Sequence, residues 1–145
     1  MFSYAQAVRV SGWGGTPWLH QGGDEVDRRE LGKEAEDAAV SFLTRAGYEV
    51  KERNFFCRWG EVDVVAEKGD TVCFVEVRMR STAAWGDPSH TVTGAKQRRV
   101  VKAALHFLQQ HRVRNRMVRF DVISVVGKGK DALVEHIPDA FDAGM

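Results

Sequence analysis

Residues 60–80 read GEVDVVAEKGDTVCFVEVRMR. Two short apolar runs, VDVVA and VCFVEV, flank the stretch Glu67-Lys68-Gly69-Asp70. Runs of this length and composition, separated by a glycine-containing break, predict neighbouring strands joined by a short hairpin turn. Each run carries one carboxylate, Asp63 in the first and Glu76 in the second. An ionised carboxylate inside an apolar strand is strongly unfavourable unless it is partnered. The hairpin therefore poses the question of what keeps Asp63 and Glu76 there.

The flanking segments predict the rest of the sheet. Leu31, Ala35, Ala38, Ala39, Phe42, Leu43 and Ala46 recur at helical spacing, so a helix is expected from about 28 to 46, with Gly47 as its stop. Glu34 falls at the border of that stripe, where it can look into the rim of the core. Strands are expected over 48–56, 61–66 and 71–78, and a loop over 79–92. A second helix is expected over 93–111. Val100, Val101, Ala104, Leu105 and Leu108 would face the core, with Arg98, Lys102, His106 and Gln109 opposite. A fourth strand follows at 117–126, and a short fifth at 132–137. Close connections make the first three strands an antiparallel meander. The fourth returns after a helical crossover and should run parallel to the strand it joins. The expectation is one α/β domain over 27–145, a mixed sheet flanked by helices in the order α-β-β-β-α-β. Residues 1–26 are glycine-rich without a sustained period and read as a poorly ordered leader, although Trp13 and Trp18 are unusual in one.

Composition narrows the function classes. At 145 residues and 43% hydrophobic, the chain can bury one core without disulfide or metal staples. Cys57 and Cys73 stand apart from each other and from histidines, which argues against a structural zinc site, and Cys73 reads as a core residue. Neither a secretory signal nor a bilayer-spanning segment is legible, so a cytoplasmic location is the default and no membrane partner is expected. The net charge of +1 says nothing about nucleic acid, but its distribution does. Asp24 to Asp37 holds seven acidic and three basic residues. Gly94 to Arg119 holds eight basic residues and no acidic ones.

Residues two apart on a strand share a face, so Glu76 and Arg78 project together, as do Asp63 and Glu61. Asp63 and Glu76 lie about equally far from the turn and can approach across the strand pair. Two close carboxylates repel unless a cation sits between them. Oxygen ligands of this kind suit Mg²⁺ or Mn²⁺, which keep waters and accept phosphate oxygens. A metal-bound water is acidic enough to attack a phosphodiester. The plainer alternative is a surface ion pair at Glu76-x-Arg78 and a turn-capping aspartate.

The strings LGKEAEDAAVSFLTRAGYEVKERNFF, GEVDVVAEKGDTVCFVEVRMR, VTGAKQRRVVKAALHFL, RFDVISV and EHIPDAF, in that order, resemble the YraN-like family of bacterial proteins. That family looks like a branch of the restriction-endonuclease-like superfamily, whose motif is written PD-(D/E)XK. The resemblance spans residues 31–141, and GEVDVVA and FVEVR are its most specific parts. It implies a restriction-endonuclease-like core and a metal-dependent endonuclease acting on DNA, with a homodimer as one assembly. Asp63 matches the first metal-binding aspartate and Glu76 the second carboxylate. Glu34 matches a helix glutamate that helps hold a metal in some members. Val62 stands where the motif name has proline, and Arg78 stands where it has lysine. The superfamily lysine orients or deprotonates the attacking water and steadies the phosphorane. Arginine stays protonated and cannot act as the base, but its fixed donors can stabilise an anionic transition state. The resemblance therefore leaves room for a nuclease with Asp63, Glu76, Arg78 and Glu34 in catalytic roles. It also leaves room for a nucleic-acid-binding module that has lost catalysis, or for a scaffold domain in a DNA-processing complex.

Arg80, on the face of Glu76 and Arg78, is a candidate phosphate contact. Lys96, Arg98, Arg99 and Lys102 follow the motif strands and form a candidate backbone-binding cluster, the alternative being a solvated helix face. Arg112, Arg114 and Arg116 either extend it or solvate a turn. Trp85 is a candidate for base stacking or for covering a core edge, and His90 for a general base. Asp121 either faces the same cleft or pairs with an arginine, and is left out of the site.

Overall fold

Valine, phenylalanine and isoleucine fill the strands because branched and aromatic side chains pack well on a pleated surface. The computed structural model describes residues 6–9, 25–80, 92–127 and 131–144, with 6–9 and 25–29 described through their backbone alone. The elements are β1 (Gln6–Arg9), α1 (Glu25–Arg45), β2 (Glu49–Cys57), β3 (Gly60–Lys68), β4 (Thr71–Arg80), α2 (Gly94–Gln110), β5 (Met117–Val126) and β6 (Leu133–Phe141). They form a six-stranded sheet in the order β1-β6-β5-β4-β3-β2. The β4–β5 pair is parallel, as the α2 crossover requires, and the other four pairs are antiparallel. The turn between β3 and β4 is two residues tight, closing at Lys68↔Thr71, and Gly69 supplies its positive φ of 59°.

The helices cover opposite faces of the sheet. Ala35, Ala38, Ala39, Phe42 and Leu43 of α1 pack on Val64, Ala66, Cys73, Val75, Ile123 and Val125. Val100, Val101, Ala103, Ala104 and Phe107 of α2 pack on Phe55, Val62, Val65, Val72, Phe74 and Phe120. Along β4, therefore, Cys73 and Val75 look toward α1, whereas Val72 and Phe74 look toward α2. Helix α2 sits unusually close to β3 at Gly60. A Cβ there would lie 2.1 Å from the Arg99 carbonyl oxygen, so only glycine lets the backbones approach.

Several expectations need correction. Leu105 is 46% exposed, and Ala103 and Phe107 are buried in its place. It lies about 100° round the helix from Ala104, outside the stripe that α2 lays on the sheet. Strand β4 continues to Arg80, and β6 runs on to Phe141 instead of ending at 137. Residues 6–9, within the expected leader, pair with β6 as an edge strand, and α1 begins at Glu25. Trp13, Trp18, Trp85 and His90 lie outside the described residues. Cys73 is buried in the core, as expected.

On the α1 side, Asp121 anchors a buried polar cluster. Its carboxylate accepts two hydrogen bonds of 2.8 Å from Arg119, one of 2.8 Å from the His136 ring and one of 3.0 Å from the Asp139 N–H. Arg119 also donates to the Tyr48 hydroxyl at 2.7 Å. Although burial alone would raise it, the His136 and Arg119 hydrogen bonds hold the Asp121 carboxyl below its ordinary pKa. Asp121 thus pairs with an arginine and has no part in the cleft.

Two outcomes follow. Gly60→Ala should lower stability by about 1–3 kcal/mol through overpacking against α2, read from urea unfolding. Asp121→Asn should cost about 3–5 kcal/mol by leaving Arg119 without its counterion. Because the native Asp121 pKa is depressed, its contribution is present above the unfolded pKa and fades as pH falls through the native one. The difference between the two proteins should therefore narrow in acid, as thermal unfolding across pH would show.

Candidate functional site

The β3–β4 ladder pairs residues from Lys68↔Thr71 to Val64↔Val75 and stops there. Beyond it, the Val77 N–H donates to the Asp63 carboxylate at 2.8 Å. A side chain thus replaces a strand carbonyl, and the Asp63 carboxylate comes to rest beside the β4 backbone one residue past Glu76. Strand alternation is also broken at this point. Val62 packs toward α2, whereas Val64, two residues on, packs toward α1. Across from Asp63, between the Arg53↔Val64 and Phe55↔Val62 pairs, Asn54 has a φ of 54°. The two strands twist together here, and Asp63 sits at the twist.

Glu76 shares the face of Val72 and Phe74 and is 1% exposed. Neither of its carboxylate oxygens has a hydrogen-bond partner among the described residues. Among the described residues it forms an ion pair with Lys96 in the first turn of α2, Nζ to Oε2 at 3.5 Å. Thr93 caps that helix by accepting a hydrogen bond from the Lys96 N–H at 3.2 Å, which fixes where the lysine starts. Burial, with the Asp63 charge second, pushes the Glu76 carboxyl up to about 8, against the pull of Lys96. Burial likewise pushes Asp63 up to about 6, opposed by the Val77 N–H and by Lys96 and reinforced by the charges of Glu36 and Glu61. The fold thus crowds two carboxyls where burial opposes their ionisation, and sets the Lys96 ammonium beside them.

The structure brings Asp63, Glu76 and Lys96 together. Arg78 follows Glu76 on the same face of β4 and is half-buried. Arg80 is the last residue of β4 and is also half-buried. Arg98, Arg99 and Lys102 are exposed on α2. Lys96, expected among the phosphate contacts, is paired with Glu76. Glu34 is half-buried on α1 but does not join Asp63 and Glu76 in a three-ligand group, and among the described residues no set of three His, Cys, Asp or Glu side chains could hold a metal ion. Two carboxylates nevertheless suit Mg²⁺, which is commonly held by one or two carboxylates, waters and substrate phosphate oxygens. The buried, unbonded oxygens of Glu76 are suitable donors.

The α1 carboxylate whose charge acts on Asp63 is Glu36, which sequence reasoning passed over. Glu36 is held by Asn54, which donates to it at 2.9 Å, and by Arg53 at 3.7 Å. Its spacing from Ala39 and Leu43, three and seven residues on, already put it at the edge of the buried stripe.

Glu76→Gln tests the electrostatics. A carboxyl raised to about 8 in the native state destabilises the fold as pH climbs through that value, because the unfolded chain releases the proton earlier. With chelator present, Glu76→Gln should match wild type near pH 4.5 and unfold several degrees higher near pH 9, on the order of a few kcal/mol. A wild-type protein equally stable at pH 9 would contradict this.

The comparisons agree with the resemblance carried by the motif strings. Residues 35–125 match the model of Uncharacterised protein family UPF0102. A UPF0102 protein of Myxococcus xanthus is 67% identical over 120 residues, covering 83% of this chain and 95% of its own length. One from Geobacter metallireducens is 46% identical over 117 residues, covering 81% and 96%. One from Caldicellulosiruptor saccharolyticus is 42% identical over 110 residues, covering 76% and 93%. On these matches the chain belongs to Uncharacterised protein family UPF0102, the YraN-like proteins.

Proposed function

We propose that this protein is a metal-dependent endonuclease with a restriction-endonuclease-like core, hydrolysing phosphodiester bonds in DNA. The observation that carries the reading is the pair Asp63 and Glu76, a half-buried and a buried carboxyl on adjoining strands, both raised in pKa and opposed by the Lys96 ammonium. Perturbed carboxylates of this kind concentrate at functional sites. The mixed sheet, with its parallel β4–β5 pair and helices on both faces, is consistent with the proposed core. No helix among the described residues is long and apolar enough to cross a membrane.

Asp63 and Glu76 would hold Mg²⁺ or Mn²⁺, with Glu36 in place to adjust the charge around Asp63. The bound ion would supply an acidic water and neutralise phosphate charge. Asp63 is oriented by the Val77 N–H, so its second oxygen has a fixed direction. Arg78 remains a donor throughout and would stabilise the anionic phosphorane without taking a proton. Once Lys96 is released from Glu76, its ammonium is placed for a substrate phosphate. Arg80, Arg98, Arg99 and Lys102 would hold the backbone without reading sequence.

The 3.5 Å ion pair between Lys96 and Glu76 favours a second reading, a binding module in which the lysine serves as permanent counterion. Incubation with branched, single-stranded and duplex DNA, with Mg²⁺, Mn²⁺ or chelator, separates the two. Wild type should cut only with metal, and Asp63→Ala should lose at least about a hundredfold in rate, as removal of an electrostatic stabiliser does. Equal cutting by both would refute the assignment. A wild type that binds these DNAs yet stays silent with either metal, and an Arg78→Lys variant that stays equally silent, would establish the second reading.

A further inference from the structure

Trp59 lies in the connection from β2 to β3, at the free edge of the sheet, and 50% of its surface is exposed. The Arg58 guanidinium lies 5.3 Å from its ring centroid. The His106 ring of α2 lies 5.7 Å away, tilted by 56°. His106 is itself braced on Phe55, 6.1 Å off and tilted by 30°. Phe56, the neighbouring β2 residue, is 77% exposed. The bare Gly60 next to Trp59 lets α2 come close enough for His106 to reach the indole. A half-exposed indole with a guanidinium over its ring and a tilted imidazole against it leaves aromatic surface open to solvent.

The surroundings indicate what lies on it. Lys102 and Arg99 are one and two helical turns before His106 and are exposed. Lys96, at Glu76, is ten residues before His106, about 15 Å along the helix axis. A strand held at Asp63 and Glu76 could therefore cross this basic face to Trp59 within a few nucleotides. Duplex bases are already stacked on one another and offer no free face, whereas an unpaired base does. Stacking on aromatic side chains beside a basic groove is how single strands are held without sequence preference. A protein partner would instead meet a face with no acidic residue anywhere from Gly94 to Arg119.

We propose that Trp59, supported by Arg58 and His106, is a stacking platform for an unpaired base in a single-stranded segment running along α2 toward the Asp63–Glu76 site. The proposal rests on the nucleic-acid reading of that site and narrows it to substrates with unpaired nucleotides near the bond that is cut.

Fluorescence anisotropy of labelled oligonucleotides in chelator isolates binding from cleavage. The probes are a 12-nucleotide oligo-dU, the matching oligo-U and a 12-base-pair duplex. Trp59→Ala should weaken single-strand binding roughly tenfold or more, leave duplex affinity within about twofold, and keep the salt dependence set by phosphate contacts. Trp59→Phe should recover most of the loss. Which of the two single strands shows it identifies the sugar recognised. Single-strand affinity unchanged in Trp59→Ala, an equal loss on duplex, or no binding of single strands by wild type would overturn the platform. Cleavage is followed separately with Mg²⁺. Cutting by wild type with an unaffected Trp59→Ala leaves the nuclease reading intact and ends this one. Selective loss of single-strand binding in a protein that never cuts does the reverse.

Discussion

The hydrogen bond from the Val77 N–H to the Asp63 carboxylate is the interaction around which the site is arranged. It ends the β3–β4 ladder with a side chain, and so draws a negative charge to the seam between two strands. Glu76 stands one residue away on β4, with no hydrogen bond from the described residues. The rest of the arrangement follows from that crowding. Helix α2 must approach closely enough for Lys96 to reach Glu76, and the missing side chain at Gly60 permits the approach. Asn54 and Arg53 restrain Glu36, whose charge would otherwise bear more freely on Asp63.

The same sheet holds another buried carboxylate with the opposite outcome. Asp121 accepts from Arg119, His136 and the Asp139 backbone, and is held as an anion. Glu76 is equally dry and lacks those donors, so burial decides its ionisation. A saturated carboxylate serves the fold; an under-satisfied one keeps coordination capacity for a ligand. The contrast distinguishes the two carboxyls more sharply than burial, which they share.

Much of the framework was legible in the sequence because its signals are local. The helical stripe from Ala35 to Leu43, the Gly69 turn and the apolar run at 117–126 each determine an element from its own residues. The parallel pairing of β4 with β5 followed from chain connectivity. What escaped was tertiary. The stripe on α2 turned away from Leu105 because Gly60 sets where that helix rests, a fact no window on α2 contains. Glu36 escaped for a similar reason: its place beside Asp63 depends on the positive φ of Asn54 and on a strand twist that reverses the faces of Val62 and Val64. Asp63 and Glu76 were legible because charge inside an apolar run is conspicuous wherever the chain goes. The partnership of Lys96 with Glu76 was not, since a helix cation twenty residues downstream looks like any other until the crossover is folded.

If the site takes a dication, as proposed, that partnership would make it a tethered exchange. An arriving dication would have to displace the ammonium beside Glu76 and the proton that burial favours on it, so its apparent affinity would be a difference between attractions rather than the whole of one. The evicted lysine would remain at the mouth of the pocket with its charge unspent, where an anionic ligand could recover it. Metal and phosphate would then each favour the other's arrival, and neither alone would hold as firmly as both together.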